Sequence, residues 1–154
     1  MRPPSLLFVC LGNICRSPLA EAAFRDAAMR GGLDAVAESA GTGDWHAGNP
    51  PDPRSQAVAL RHGIDISGKR ARAVRGADFT GFDLILALDP RNLRDLLAMA
   101  PARSTARVGL LMDHVPGCAG QSVPDPYYGS ATDFDAVWEQ VRRAADALVA
   151  TLKG

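Results

Sequence analysis

The segment at residues 10–17, Cys-Leu-Gly-Asn-Ile-Cys-Arg-Ser, constrains this chain more than any other stretch of its sequence. The apolar residues 5–10 that lead into it predict a buried strand. The Ser-Pro pair at residues 17–18 predicts the N-cap and first residue of a helix. Such a turn forms an anion site, because unpaired N–H groups and the helix dipole both favour negative charge. Gly12 and Asn13 tolerate the positive φ that the turn needs.

The residue types of this segment suit chemistry on a bound phosphoryl group. The guanidinium of Arg16 can grip two phosphate oxygens. The positive field of the turn favours the thiolate of Cys10, a nucleophile placed for in-line attack on phosphorus. A buried structural cysteine with an unrelated surface arginine would also produce a bare Cys-x5-Arg pattern. The strand before it and the Ser-Pro pair after it favour the functional interpretation.

A second segment, Val-Pro-Asp-Pro-Tyr-Tyr-Gly at residues 123–129, adds an acid to this chemistry. Prolines on both sides of Asp125 stiffen the backbone and push it toward extended geometry. An aspartate on a rigid loop can protonate a leaving oxygen. Tyr127 and Tyr128 can wall a slot for a flat aromatic group. Taken alone, the segment also fits an ordinary Pro-Asp turn with locally packed tyrosines.

These two segments resemble those of the low-molecular-weight protein tyrosine phosphatases. Supporting matches follow in the same order at residues 39–46, 51–54, 62–64, 83–89 and 92–93. The resemblance implies one phosphatase domain over residues 1–154. It implies hydrolysis of phosphotyrosine, an aryl phosphate monoester, through a phosphocysteine intermediate and without a cofactor.

The resemblance also implies catalytic roles. Cys10 is expected to be the nucleophile, and Arg16 the phosphate clamp. Asp125 is expected to protonate the tyrosyl leaving group and then to activate the water that frees the enzyme. Ser17 is expected to hydrogen-bond the Cys10 sulfur and ease its departure. The phosphate-binding loop is expected to comprise Leu11, Gly12, Asn13, Ile14, Cys15, Arg16 and Ser17.

Further roles follow from the same resemblance. Three side chains are expected to support the loop: Asn13, Ser39 and His62. Three aromatic residues are expected to line the substrate slot: Trp45, Tyr127 and Tyr128. Because His62 precedes a predicted helix stop at Gly63, it also fits a residue that serves only the helix dipole. Cys15 is expected to pair with Cys10 under oxidants and shield it from irreversible oxidation, although it also fits a small apolar filler.

Alternating strands and helices predict an α/β domain of three layers, a parallel sheet with helices on both faces. Strands are predicted at residues 5–10, 35–38, 83–88 and 107–112. Helices are predicted to begin near residues 17, 52, 89 and 132. The resemblance implies a four-stranded sheet in the order 2-1-3-4. The Cys10 loop then lies past the carboxyl end of a strand, where ligands bind in such folds.

The amino-acid composition limits the classes of molecule that this protein is expected to bind. The 17 basic and 17 acidic residues cancel, which argues against nucleic acid or an anionic membrane as a general partner. A phosphotyrosine-containing protein or peptide is the expected substrate, and inorganic phosphate the product. Three cysteines without framework spacing fit a reducing compartment. With no signal peptide or membrane span in the sequence, we expect a cytoplasmic protein. The basic segment at residues 69–72, together with Arg75, is expected to form a solvated face rather than a binding patch.

Other functions remain as alternatives. Thiol-dependent arsenate reductases resemble the family in the first loop but need a downstream cysteine relay, and residues 57–97 hold no cysteine. Phosphoarginine phosphatases resemble it closely and carry threonine where this chain has Ile14. A phosphate-binding module would need neither a nucleophile nor an acid. No metal is expected, since the spacing of Cys10 and Cys15 is not that of a zinc pair.

Overall fold

Four parallel strands form the central sheet of the computed structural model, which describes residues 2–154. The strands are β1 (Ser5–Cys10), β2 (Val36–Gly41), β3 (Leu84–Ala87) and β4 (Arg107–Leu110). The helices are α1 (Arg16–Arg30), α2 (Pro53–Arg61), α3 (Asp78–Gly81), α4 (Pro90–Met99) and α5 (Ala131–Lys153). The strand order is β2-β1-β3-β4, so the predicted fold class and strand order are confirmed.

The central strand β1 is buried along its whole length because helices cover both faces of the sheet. Its side chains alternate between two cores. Leu6 and Phe8 join the core that contains α1 and α5, whereas Leu7 and Val9 join the core that contains α3 and α4. This double burial explains why the strand appears in the sequence as an unbroken apolar run.

Several element boundaries differ from the prediction. The strand β2 runs to Gly41 instead of ending at residue 38, because Ser39 to Gly41 pair with Phe8 to Cys10 of β1. This pairing overrides the low strand propensity of Ser-Ala-Gly. The strand β4 ends at Leu110, where a 3₁₀ turn begins. The short helix α3 was not predicted. No helix within residues 2–154 is long and apolar enough to cross a membrane.

Gly41 lies where the β1–β2 pair meets the loop that follows β1. A Cβ atom at this position would lie 2.7 Å from the carbonyl oxygen of Leu11 and 3.1 Å from the carbonyl carbon of Gly12. Thr42 N donates a hydrogen bond to the carbonyl oxygen of Cys10 at 2.9 Å. The end of β2 therefore packs directly against the backbone that carries the nucleophile candidate.

Substituting Gly41 by alanine is expected to destabilise the fold by about 1–3 kcal/mol, because the new methyl group would overpack rigid backbone. Urea unfolding of the two proteins measures the difference. Gly109→Ala in β4 is the matched control, since nothing lies within 4 Å of a Cβ built there. Equal losses of stability in the two variants would contradict this account of the packing.

Candidate active site

A pocket of about 240 Å³ opens at the carboxyl end of β1. Eleven residues line it: Cys10, Leu11, Gly12, Ile14, Cys15, Arg16, Trp45, His46, Asp125, Tyr127 and Tyr128. The structure thus brings together both segments that the sequence singled out, although more than 100 residues separate them. Among residues 2–154, no backbone acceptor pairs with the N–H groups of residues 11–15. Such a cluster of free donors suits a tetrahedral oxyanion.

The buried side chain of Asn13 holds this loop in shape. Asn13 is the only non-glycine residue with positive φ among residues 2–154, at 58°. Its Nδ2 group donates to Ser17 Oγ at 2.8 Å and to Ser39 Oγ at 3.0 Å. Its Oδ1 atom accepts from the backbone N–H of Arg72 at 3.0 Å. These bonds offset the cost of the left-handed conformation, which is about 1–2 kcal/mol for a residue with a side chain.

The Ser17 side chain contacts the sulfur of Cys10 and does not cap α1. The helix α1 begins at Arg16 with Cys15 as its N-cap and no side-chain cap, so the prediction that Ser17 is the N-cap is wrong. The Ser17 hydroxyl instead accepts from Asn13 and lies 3.1 Å from Cys10 Sγ. The Ser-Pro pattern describes only the start of a helix. It could not show that the folded loop directs the Ser17 hydroxyl to Asn13 and Cys10 instead of to the N-terminus of α1.

The guanidinium of Arg16 is buried and is held from two sides. Its Nη1 atom donates to Asp89 Oδ2 at 2.7 Å and to the carbonyl oxygen of Val123 at 2.9 Å. Its Nη2 atom lies 3.9 Å from Asp125 Oδ2. Asp89 also caps α4 by accepting from Asn92 N at 2.7 Å. The sequence marked Asp89 only as a helix start, and its second role depends on β3 lying beside β1.

The candidate acid Asp125 lies at the pocket mouth, with 45% of its side chain exposed. Its Oδ1 atom accepts from Tyr127 N at 3.1 Å, which leaves Oδ2 facing the pocket side of Arg16. Arg54 fastens the same loop by donating to the carbonyl oxygen of Tyr127 at 2.9 Å. Hydrogen bonds from Arg54 also lower the pKa of the buried Asp52 carboxyl. Sequence reasoning treated Asp52 only as a helix start and gave Arg54 no individual role, although residues 51–54 were among the supporting family matches.

Cys15 lines the same pocket as Cys10 but differs in its chemistry. Burial raises the pKa of Cys15 to about 12, and the neighbouring Asp52 carboxylate adds to the increase. Cys15 therefore stays a neutral thiol near neutral pH. Cys10, Cys15 and Cys118 are all free thiols in the structure.

Aromatic side chains form the outer walls of the pocket. Trp45 and Tyr128 are 70% and 97% exposed, and Tyr127 meets the Tyr128 ring edge-on at a centroid distance of 5.0 Å. His46 was not predicted as a wall residue. It lies against Gly12, where a Cβ atom would be 3.0 Å from His46 Cδ2. The absence of a side chain at Gly12 is what admits the imidazole to the pocket.

The prediction that His62 supports the loop is wrong. His62 is exposed at the C-cap of α2, and its ring stacks on Trp138 of α5 at a centroid distance of 4.7 Å. The backbone N–H of Arg72 supports the loop instead, by donating a hydrogen bond to Asn13 Oδ1. Ser39 contacts Asn13, as predicted. Every residue except proline has a backbone N–H, so the residue type at position 72 could not indicate this hydrogen bond.

A thiol, a buried arginine and a carboxyl group around an oxyanion pocket define a site for cysteine-dependent phosphoryl transfer. A family model for low molecular weight phosphotyrosine protein phosphatase matches residues 5–154. The chain belongs to this family, which confirms both the recognised resemblance and the predicted tyrosine phosphatase function. Within residues 2–154, no group of three or more His, Cys, Asp or Glu side chains is arranged to hold a metal ion.

Individual relatives agree with the family model. The low molecular weight protein-tyrosine-phosphatase YfkJ of Bacillus subtilis is 43% identical over 151 residues, which cover 97% of this chain and 96% of the relative. A crystal structure of a protein tyrosine phosphatase from Entamoeba histolytica matches with a TM-score of 0.91 at 35% identity and covers 97% of each chain. The Drosophila arginine phosphatase DARP matches with a TM-score of 0.89 at 30% identity, over 96% of this chain and 98% of that one.

Proposed function

We propose that Cys10, Arg16 and Asp125 carry out the phosphatase reaction of this protein. The observation that supports the proposal most is their convergence on one pocket, which is also lined by loop residues whose backbone N–H groups have no backbone acceptor within residues 2–154. The loop amides and the free side of the Arg16 guanidinium bind the phosphoryl oxygens. These donors are fixed before substrate arrives, so they stabilise the charge of the transition state without reorganisation.

The reaction then proceeds in two balanced steps. The Cys10 thiolate forms an S–P bond while the O–P bond to the tyrosyl oxygen breaks, and Asp125 gives its proton to that oxygen. In the second step a water attacks phosphorus and the Asp125 carboxylate takes its proton. The S–P bond breaks, inorganic phosphate leaves, and a hydrogen bond from Ser17 stabilises the departing thiolate.

The pocket walls support an aryl phosphate as the substrate. Trp45, Tyr127 and Tyr128 flank the opening with flat apolar surface, and Ile14 adds an aliphatic side chain. We infer a phosphotyrosine-bearing protein as the physiological substrate, and nucleic acid is not a partner in this proposal because the basic and acidic residues balance. Three free thiols fit a reducing compartment and support a cytoplasmic location.

Cys15 is proposed as the redox partner of Cys10. The two sulfurs belong to one loop and line one pocket. A peroxide would oxidise the Cys10 thiolate to a sulfenic acid and would itself be reduced to water or an alcohol. The sulfur of Cys15 would then attack the sulfenic acid, which releases water and forms a disulfide. Such a bond would keep the nucleophile recoverable by a reducing thiol.

Replacing Cys10 by serine is expected to abolish hydrolysis of p-nitrophenyl phosphate with chelator present, because a hydroxyl does not ionise near neutral pH and is a poor nucleophile. Cys118→Ser is the matched control and should keep wild-type turnover, since Cys118 lies outside the pocket lining. Isothermal titration with vanadate should still detect binding to Cys10→Ser. Substantial turnover by Cys10→Ser would remove the sulfur from the mechanism.

Replacing Asp125 by asparagine is expected to lower kcat by roughly 10²–10⁴, the usual contribution of a positioned acid. The loss in kcat/KM, which reports the step that breaks the O–P bond, should grow as the pKa of the leaving phenol rises, because a poorer leaving group depends more on protonation. Steady-state kinetics with a series of aryl phosphates measures this dependence. Asp113→Asn alters a carboxylate outside the pocket, in the 3₁₀ turn that follows β4, and should behave like wild type. A loss that is independent of the leaving group would contradict the acid role.

A further inference from the structure

A second cavity lies between α1 and the loops that follow α1 and α2. Its volume is about 640 Å³, whereas that of the active-site pocket is about 240 Å³. This volume falls within the range of small-molecule sites, which is roughly 300–1,000 Å³. Among residues 2–154, none lines both the cavity and the active-site pocket. The phosphatase mechanism therefore gives this cavity no role.

Apolar side chains that are only partly covered form the walls of this cavity. Met29 on α1 is 76% exposed, and Leu33 and Ile64 on the two loops are half-buried. Ala22 and Ala28 of α1 contribute only methyl groups to the lining, which leaves the space open. Accessible aliphatic surface inside a concavity favours a ligand with an apolar body. The flexible thioether of methionine can adapt its shape to such a body.

The two cationic residues of the cavity are already paired with a buried carboxylate. The side chain of Glu21 on α1 is 4% exposed, and its Oε2 atom lies 2.7 Å from Lys69 Nζ and 2.9 Å from Arg25 Nε. The expectation that residues 69–72 and Arg75 form a solvated face is therefore wrong at Lys69, whose ammonium group offsets the cost of burying Glu21. An anionic ligand would have to draw these cations away from Glu21.

Three carboxylates also line the cavity, and two of them are available to a cation. Asp26 pairs with Arg30 at 2.9 Å. Asp34 and Asp65 are exposed and form no ion pair within residues 2–154. Hydrogen bonds from Ser67 lower the pKa of Asp65, so this carboxylate stays charged near neutral pH. The charge left uncompensated at the cavity is therefore negative.

The ends of two helices add to this negative potential. The helix α1 ends at Arg30 and α2 ends at Arg61. Met29 in the last turn of α1 and Gly63 directly after the C-cap of α2 both line the cavity. The C-terminal end of a helix carries partial negative charge from the aligned peptide dipoles. Two helices that end at one cavity therefore favour a cationic ligand.

We propose that this cavity is a binding site for an organic ammonium ion that carries an aromatic or aliphatic body. The carboxylates of Asp34 and Asp65 bind the ammonium group, and the body lies against Met29, Leu33 and Ile64. An inorganic cation would leave the apolar walls in contact with water, and an organic anion would face the two unpaired carboxylates. The site thus selects its ligand by charge and by apolar area together.

The test is a titration of the isotope-labelled protein with phenethylamine, followed by amide NMR, with vanadate present to occupy the active-site pocket. Saturable shifts are expected in residues 22–35 and 63–69, which include the cavity lining. Phenethyl alcohol has the same body without the charge and should bind about tenfold more weakly, because two exposed ion pairs are lost. Phenylacetate carries the opposite charge and should give no saturable shift.

Variants separate the charge from the apolar wall. Asp34→Asn and Asp65→Asn should each weaken the binding of phenethylamine about threefold. Met29→Ala should weaken it by a similar factor, because apolar contact is lost. Two matched controls alter α4, outside the cavity lining: Asp95→Asn removes a carboxylate, and Leu97→Ala removes an exposed apolar side chain. Both controls should bind phenethylamine as the wild type does.

Equal affinities for the amine and the alcohol would overturn the assignment of a cation. Shifts confined to the active-site pocket, or no saturable shift at all, would overturn the site itself. An equal loss of affinity in Asp95→Asn would reduce the effect to overall charge and would overturn the role of Asp34 and Asp65. Turnover by Cys10→Ser would refute the proposed function without moving any of these readouts, so the two failures are distinguishable.

Discussion

The side chain of Asn13 is the contact on which the rest of the site depends. One buried amide bonds to α1 through Ser17, to β2 through Ser39, and to the segment before α3 through Arg72. These bonds hold the only left-handed non-glycine residue within the described part of the chain. The loop is therefore folded around its anion site before any substrate binds, which is the condition for electrostatic preorganisation.

Two buried charges near the loop have partners on other parts of the fold. Arg16 pairs with Asp89 at the start of α4, and Glu21 pairs with Lys69 after α2. Removing one member of such a pair leaves an uncompensated charge, which costs about 3–5 kcal/mol when the pair is fully buried. The pairs therefore fix the relative positions of helices and loops, and the sheet edge alone would not align Asp125 with the Arg16 guanidinium.

The sequence predicted the sheet and the reactive segments because their information is local. An unbroken apolar run marks a strand buried on both faces, and a Cys-x5-Arg turn before a helix marks an oxyanion site. The missed residues depend on tertiary placement. Asp89 and Arg54 reach the site only after distant segments pack together. His62 was assigned to the loop from its position in a matching segment, whereas the packing of α5 offers it Trp138.

The claim that Cys10 carries the phosphoryl group is tested most directly by trapping the intermediate. The protein is mixed with p-nitrophenyl phosphate, quenched in acid within milliseconds, digested, and mapped by tandem mass spectrometry. A phosphoryl group on the Cys10 sulfur, formed together with a burst of nitrophenol, is the predicted result. A phosphoryl group on another side chain, or a burst without any covalent phosphoenzyme, would contradict it.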